Sequence, residues 1–193
     1  TTIDTVFKGN DNIVAFNELR YFTGLTYIEA YAFRGCSSLW KIEIPRGVNT
    51  IKNGVFGDCI SLSKIEIPSN VVSLGSGLCD GCTALTCAII PNSITIIPVR
   101  TFDGCSSLKD VILPSVCTEI GSLAFYNCDA LVSIDIPGAV TKIGSQAFDD
   151  CASLVSVTCY GVNPPILGST SPGVFENDVI VYVPIGCRDA YRK

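Results

Sequence analysis

Residues 131–153 read LVSIDIPGAVTKIGSQAFDDCAS, and the pattern of this stretch recurs along the chain with a period of 23 residues. The clearest mark of the period is a ladder of six cysteines at one constant interval: Cys36, Cys59, Cys82, Cys105, Cys128 and Cys151. A unit this short cannot bury a hydrophobic face by itself, so consecutive units must stack on one another. The spacing therefore predicts a solenoid.

Composition and charge narrow the class of protein. The chain has 193 residues, of which 48% are hydrophobic, and this is enough for a buried core. Its net charge of −5 argues against nucleic acid or an anionic membrane as the main partner, because phosphate binding needs clustered Lys and Arg. No apolar run approaches the roughly 18 residues of a membrane span. The first residues lack the charged start and apolar run of a signal peptide, so we expect none in this sequence.

Each repeat opens with a short alternating run that ends in proline. Apolar residues at every second position are typical of a strand with one buried side, and proline ends strand pairing because it lacks a donor. Five runs fit this pattern: Leu39 to Pro45, Leu62 to Pro68, Leu85 to Pro91, Leu108 to Pro114 and Leu131 to Pro137. A sixth run, Leu154 to Cys159, is followed by Tyr160 in place of proline, so we expect the array to end there.

The rest of each repeat also falls into columns of equivalent residues. Two apolar columns are expected to close the back of each coil: Val48, Val71, Ile94, Cys117 and Val140, then Ile51, Leu74, Ile97, Ile120 and Ile143. An aromatic column holds Phe33, Phe56, Phe102, Phe125 and Phe148, with Cys79 in the third copy. The residue before each ladder cysteine is Gly, Asp or Asn, types that tolerate a left-handed backbone, so we interpret this column as a corner of the coil.

The order of these motifs resembles the BspA-like leucine-rich repeat family. The motifs are Leu-x-x-Ile-x-Ile-Pro, Val-x-x-Ile-Gly and Ala-Phe-x-x-Cys-x-x-Leu, and the resemblance covers roughly residues 25–160. It implies a β-rich α/β repeat fold: a right-handed leucine-rich-repeat solenoid with a parallel concave sheet and short helical or irregular turns on the convex side. It also implies a bacterial cell-surface or secreted protein, in a family associated with adhesion to host proteins.

The flanks of the array resemble the caps of that family. We expect an N-terminal cap over 1–24, the repeat array over 25–160 and a C-terminal cap over 161–193, folding as one cooperative, monomeric unit. The resemblance implies a C-terminal cap that runs on past Tyr191.

Eleven cysteines in an extracellular protein would ordinarily suggest disulfides. Stacked parallel strands lie about 4.8 Å apart, and their parallel Cβ vectors keep ladder cysteines near that spacing, whereas a relaxed bridge needs about 3.8 Å between Cβ atoms. We therefore predict free, buried ladder thiols that pack as small hydrophobes. Cys79, Cys117 and Cys159 fall in core columns, Cys187 has no assigned column, and Cys87 points outward.

The sequence offers little for catalysis, metal or cofactor binding. Cys79-x-x-Cys82 has the spacing of a redox or zinc pair, but a structural zinc site needs four ligands and the chain has no histidine. Glu43 and Glu66 form a possible carboxylate pair on adjacent strands, although Lys41 and Lys64 are expected to neutralise them along the diagonals. We expect no enzyme activity and no cofactor.

The outward strand positions form the expected recognition surface, since many shallow contacts can add along a solenoid sheet. The candidate protein-binding residues are Trp40, Lys41, Glu43, Lys64, Glu66, Cys87, Ile89, Lys109, Asp110, Ile112 and Asp135. Ile89 and Ile112, with the chain's only tryptophan, resemble an interface centre with a charged rim. The alternative is an ordinary surface with scattered apolar residues.

Two classes of function remain. One is a protein-binding module that recognises a host or extracellular-matrix protein on the concave sheet. The other is an architectural spacer within a larger surface protein.

The column assignment predicts the order in which the cysteines react. Cys87 should be modified by a thiol reagent under native conditions well before the six ladder cysteines, because only Cys87 belongs to an outward strand column. Mass spectrometry of peptides from briefly labelled protein measures the order, and equal labelling of all these thiols would contradict the assignment.

Overall fold

The computed structural model describes residues 2–168, 174–175 and 178–192. Within these residues, short strands alternate between two faces of a solenoid. The even-numbered strands, in chain order, form the long-strand face: β2 (Ala15–Phe16), β4 (Lys41–Ile42), β6 (Lys64–Glu66), β8 (Cys87–Ile89), β10 (Asp110–Ile112), β12 (Ser133–Ile136), β14 (Ser156–Cys159) and β16 (Ile180–Tyr182).

The odd-numbered strands form the short-strand face. They are β1 (Thr2–Ile3), β3 (Tyr27–Ile28), β5 (Thr50–Ile51), β7 (Ser73–Leu74), β9 (Ile96–Ile97), β11 (Glu119–Ile120), β13 (Lys142–Ile143) and β15 (Ile166–Leu167). The described helical segments are single 3-10 turns, Thr5–Phe7, Asn17–Tyr21 and Ala190–Arg192, and they lie in the flanks. Between residues 25 and 160 the connections are turns, so the predicted convex side is irregular and not helical.

The strand pairs keep the repeat period. Lys64 pairs with Cys87, and Cys87 pairs with Asp110, always in parallel. On the short-strand face, Thr50 pairs with Ser73 in the same sense. Within the array, paired strand residues are therefore 23 positions apart, and the predicted parallel solenoid is confirmed. The sequence indicated the buried column of the short-strand face, but it did not predict that two residues of each coil pair as strands there.

Phenylalanine rings stack in the core on both sides of the third coil, where Cys79 takes the place of a ring. The rings of Phe102 and Phe125 have centroids 5.4 Å apart, and those of Phe125 and Phe148 are 5.1 Å apart and nearly parallel. The stack continues into both flanks, where Phe7 lies 5.3 Å from Phe33 and Phe175 lies 5.5 Å from Phe148. The flanks thus supply the terminal rings of the stack, a role that the sequence analysis did not assign to them.

The cysteine ladder lies beside the phenylalanine stack and contacts it across coils. All six ladder cysteines are buried, as predicted, and all eleven cysteines of the chain are free thiols. Cys59 Sγ donates to the carbonyl oxygen of Phe33 at 3.1 Å, and Cys151 Sγ donates to that of Phe125 at 3.1 Å. The other four ladder thiols donate to the carbonyl oxygens of Phe7, Phe56, Cys79 and Phe102 at 3.0–3.3 Å. Each ladder thiol therefore ties its coil to the preceding turn of the chain.

Burial makes several of the ladder thiols poor nucleophiles. Desolvation raises the pKa of Cys105 and Cys128 well above the usual value, and it raises the pKa of Cys151 to about 12. A thiol with a raised pKa has little thiolate near neutral pH, and the thiolate is the reactive form. Cys79, Cys117 and Cys159 are buried as predicted, whereas Cys87 and Cys187 are partly exposed.

The third side of each coil is held by backbone hydrogen bonds at two left-handed corners. The predicted corner column has positive φ in all six copies: Gly35, Asp58, Gly81, Gly104, Asn127 and Asp150. A second corner lies four residues earlier, at Tyr31, Gly54, Gly77, Arg100, Leu123 and Gln146. Residues of both columns donate their N–H groups to the next coil, as Leu123 N does to Ser145 O at 3.0 Å. The second corner was missed because four of its residues are types that rarely adopt this conformation.

The flanks extend both faces instead of merely covering them. β1 pairs with β3 and β2 pairs with β4, while β15 pairs with β13 and β16 pairs with β14. At the C-terminal end, the hydroxyl of Tyr191 donates to the carbonyl oxygens of Gly161 at 2.8 Å and Asn163 at 3.2 Å. This contact fixes the last 3-10 turn against the loop that leaves β14.

The third coil keeps its core volume by exchanging a large and a small residue. Three coils have alanine before the phenylalanine, as at Ala124 and Phe125, whereas this coil has Leu78 before Cys79, and these four side chains are fully buried. Leu78→Ala should lower the free energy of unfolding by about 2–5 kcal/mol, and Cys79→Phe should lower it by about 1–3 kcal/mol through overpacking. The double variant Leu78→Ala with Cys79→Phe recreates the Ala-Phe pair. Its loss of unfolding free energy should therefore be smaller than the sum of the two single losses by at least about 1 kcal/mol.

Urea denaturation of the four proteins measures this coupling. Leu131→Ala combined with Cys79→Phe is the control, since Leu131 is equally buried but belongs to a distant coil. Additive losses for Leu78 and Cys79 would contradict the volume exchange.

Candidate protein-binding face

The outward residues of the long-strand face alternate with core residues along each strand. In β6, Lys64 and Glu66 are exposed and Ile65 is fully buried. In β12, Ser133 and Asp135 are exposed between buried isoleucines. The strand period therefore presents alternate residues of each strand, such as Lys64, Glu66 and Asp135, to solvent.

A groove with a volume of about 1030 Å³ crosses the N-terminal part of this face. Six of the eleven predicted residues line it: Trp40, Lys41, Glu43, Lys64, Glu66 and Ile89. Trp40 is 49% exposed although it is the largest side chain of the groove. The structure thus brings an aromatic side chain, an aliphatic side chain and two cation–carboxylate pairs into one concavity.

The other five predicted residues lie outside this groove: Cys87, Lys109, Asp110, Ile112 and Asp135. Ile112 pairs in register with Ile89 and is 61% exposed, so the two isoleucines are neighbours. The groove, however, includes only Ile89. The expected patch is therefore divided between the groove and the adjoining strand β10.

The charges of the groove pair along strands and not along diagonals. Lys41 Nζ lies 3.4 Å from Glu43 Oε1, and Lys64 Nζ lies 3.4 Å from Glu66 Oε2. Residues i and i+2 of one strand share a face, and this places each lysine beside the glutamate of its own strand. The expectation of diagonal neutralisation was wrong in this respect.

Two arginines of this region were missed by the sequence analysis. Arg20, from the 3-10 turn before the array, lies 3.4 Å from Glu43 and stacks over Tyr21 with its guanidinium carbon 4.9 Å from the ring centroid. Arg46 lines the groove one residue after Pro45. The position directly after the proline varies in type from copy to copy, so no column pattern indicated Arg46.

Beyond the groove, the face becomes apolar toward its C-terminal end. Val132, Val155, Ile180 and Tyr182 are each 53–60% exposed on β12, β14 and β16 or directly before them. Val132 and Val155 belong to the outward column that starts with Trp40, one residue before each strand begins.

Among the described residues, no three Asp, Glu or Cys side chains are arranged so that they could hold a metal ion. In the same part of the chain, no helix has the length and apolar character needed to cross a membrane.

Comparison with known proteins identifies the family. The model of the BspA type leucine rich repeat region, which has six copies of the repeat, matches residues 6–97, 26–155 and 79–183. These overlapping matches span most of the chain, and the chain belongs to this family. A comparison with curated protein sequences found no match.

Solved structures of bacterial leucine-rich repeat proteins share the fold. A protein from Bacteroides ovatus ATCC 8483 is 25% identical with a TM-score of 0.64, and the match covers 94% of this chain and 48% of that one. A leucine rich cell surface protein from Faecalibacterium prausnitzii A2-165 is 28% identical with a TM-score of 0.60, covering 88% of this chain and 56% of that one. A protein from Eubacterium ventriosum ATCC 27560 is 31% identical with a TM-score of 0.55, and the match covers 72% of this chain and 43% of that one. The chain thus spans about half the length of these proteins.

The ion pairs of the groove should matter little for folding. Glu43→Gln and Lys64→Gln should each change the free energy of unfolding by less than about 1 kcal/mol, because exposed pairs gain little in water. Arg100→Ala should cost more, since Arg100 Nη1 lies 2.9 Å from Asp103 Oδ2, and Asp103 is buried. Urea denaturation of the three variants measures the difference. A loss of several kcal/mol at Glu43 or Lys64 would show that the groove charges are structural and not available to a partner.

Proposed function

We propose that this chain is a non-catalytic protein-binding module of a bacterial surface or secreted protein, and that its long-strand face contacts the partner. The observation that carries the proposal is the groove beside Trp40. A large, half-exposed aromatic side chain in a concavity is costly to keep solvated unless a partner covers it. Trp and Arg are also enriched among the residues that dominate binding energies.

The division of roles within the repeat supports this function. The buried columns and the thiol ladder hold the coils together, so the outward columns are free to vary without loss of the fold. They do vary: the position of Glu66 is taken by Ile89, Ile112 and Asp135 in the following coils. A spacer would need no such groove or apolar patch.

The extracellular setting of the proposal rests on family membership and on the cell-surface protein of Faecalibacterium prausnitzii among the similar structures. A host or extracellular-matrix protein is the expected class of partner. The monomeric state and the cap boundaries at residues 24 and 160 stay predictions.

Binding to an array of extracellular-matrix proteins and glycans tests the function. We expect the purified chain to bind at least one matrix protein, and the double variant Ile89→Asp with Ile112→Asp to weaken that binding by about tenfold or more, as expected for buried apolar contacts at an interface. The matched control is Ile96→Asp with Ile166→Asp, which changes two exposed isoleucines of the short-strand face.

Circular dichroism must first show that both double variants are folded. Equal affinity of the two double variants would remove Ile89 and Ile112 as part of the binding surface. Failure of the unmodified chain to bind any protein on the array would favour the architectural spacer.

A further inference from the structure

The charges that line the groove do not all find partners within the chain. Glu43 accepts from Arg20 and Lys41, and Glu66 pairs with Lys64. Among the residues that the structure describes, Arg46 makes neither an ion pair nor a side-chain hydrogen bond, and it is exposed. The groove therefore holds three cations and two carboxylates, in a chain whose net charge is −5.

Arg46 starts a row of hydrogen-bond donors along the edge of the long-strand face. Ser69 occupies the equivalent position in the next coil, about one strand spacing of 4.8 Å away, and it also lines the groove. Asn92 follows in the third coil, where its side-chain oxygen accepts from Ser115 N at 2.8 Å, leaving the amide NH₂ group to donate outward. We call Arg46, Ser69 and Asn92 the donor row. It contains no carboxylate.

Resting on the proposed protein-binding function, we propose that the groove binds an extended acidic peptide segment of its partner, with a partner carboxylate on Arg46 and Ser69 and an apolar partner side chain against Trp40 and Ile89. A guanidinium binds a carboxylate through two parallel hydrogen bonds, and a neighbouring hydroxyl can donate a third. Because the carboxylates of the groove already accept cations, they do not compete for Arg46.

The dimensions of the groove fit a short extended segment. Trp40 and Arg46 are six residues apart along one strand and the turn that follows, which is at most roughly 20 Å. A peptide of about six extended residues spans that distance. The aliphatic side chain of Ile89, which lines the groove two strands away, favours a peptide over a carboxylated polysaccharide, since a polysaccharide has no apolar side chain to place against it.

The local excess of positive charge gives the groove its selectivity. The net negative charge of the chain repels an acidic partner, whereas Arg46 attracts it within the groove, because Lys41 and Lys64 are already paired with glutamates and Arg46 is not. The charges that position the acidic segment in the groove therefore also disfavour its binding elsewhere on the chain.

Selection from a random heptapeptide library displayed on phage tests the inference. The selections use three folded proteins: the unmodified chain, Arg46→Gln, and Arg188→Gln, a matched change at an exposed arginine of the C-terminal flank. We expect the unmodified chain and Arg188→Gln to enrich peptides that combine Asp or Glu with an aromatic or large aliphatic residue. Arg46→Gln should lose the acidic preference. The strongest synthetic peptide should bind Arg46→Gln about tenfold or more weakly than the unmodified chain, as expected for loss of a charged hydrogen-bonded pair, with partial recovery in Arg46→Lys.

The outcomes separate the inference from the function on which it rests. Enriched peptides without acidic residues, or an acidic preference that persists in Arg46→Gln, would overturn the acidic-segment inference and leave protein binding intact. Enrichment of no peptide by the unmodified chain, together with failure to bind matrix proteins, would overturn both. Binding of polygalacturonate that depends on Arg46, with no peptide enriched, would replace the peptide with a polysaccharide and so contradict the inference.

Discussion

The repeat array depends on a constant coil length of 23 residues. Parallel strands pair residue by residue, as Cys87 does with Lys64 on one side and Asp110 on the other, so one extra residue within a paired strand would move the side chains after it to the wrong face. The ladder thiols record this constraint most directly. Each donates to a carbonyl oxygen of the preceding turn, and that geometry repeats at distances of 3.0–3.3 Å from Cys36 to Cys151. Cysteine suits the site because its sulfur fills a small apolar volume and still donates weakly to a buried carbonyl group.

Stacking also explains how the ends of the array are completed. An exposed end of the phenylalanine stack would leave a large apolar ring in water. Phe7 and Phe175 cover the two ends with rings at 5.3 and 5.5 Å from their neighbours, although neither belongs to a complete repeat. The flanks pair their strands with the array on both faces, so core and ends form one continuous set of contacts.

Most of the buried structure could be predicted from sequence because each buried column repeats apolar residues at one position of the coil. Cysteine at position 36 and its equivalents, proline after each strand and Gly, Asp or Asn at one corner all indicated the correct environment. The second left-handed corner was not predicted, because Arg100 and Leu123 are residue types that rarely adopt this conformation. Coil-to-coil hydrogen bonds stabilise it here. Arg46 was not predicted for a related reason. Residue types at the outward positions vary from coil to coil, so the repeat pattern does not indicate which of them bind a partner. Lys41 and Glu43 were correctly assigned to one face, but their pairing along the strand depends on side-chain geometry that a repeat pattern does not specify.

The division between uniform core and variable surface is also the basis of the proposed function, so the core assignment is the claim to test first. The chain contains no methionine, and every sulfur atom therefore belongs to a cysteine. A sulfur anomalous-difference map from a crystal of the protein locates all eleven. The account predicts six peaks in one row, separated by about 4.8 Å, the spacing of parallel strands. Peaks that merge into pairs about 2.05 Å apart would show disulfides in the ladder and would contradict the account.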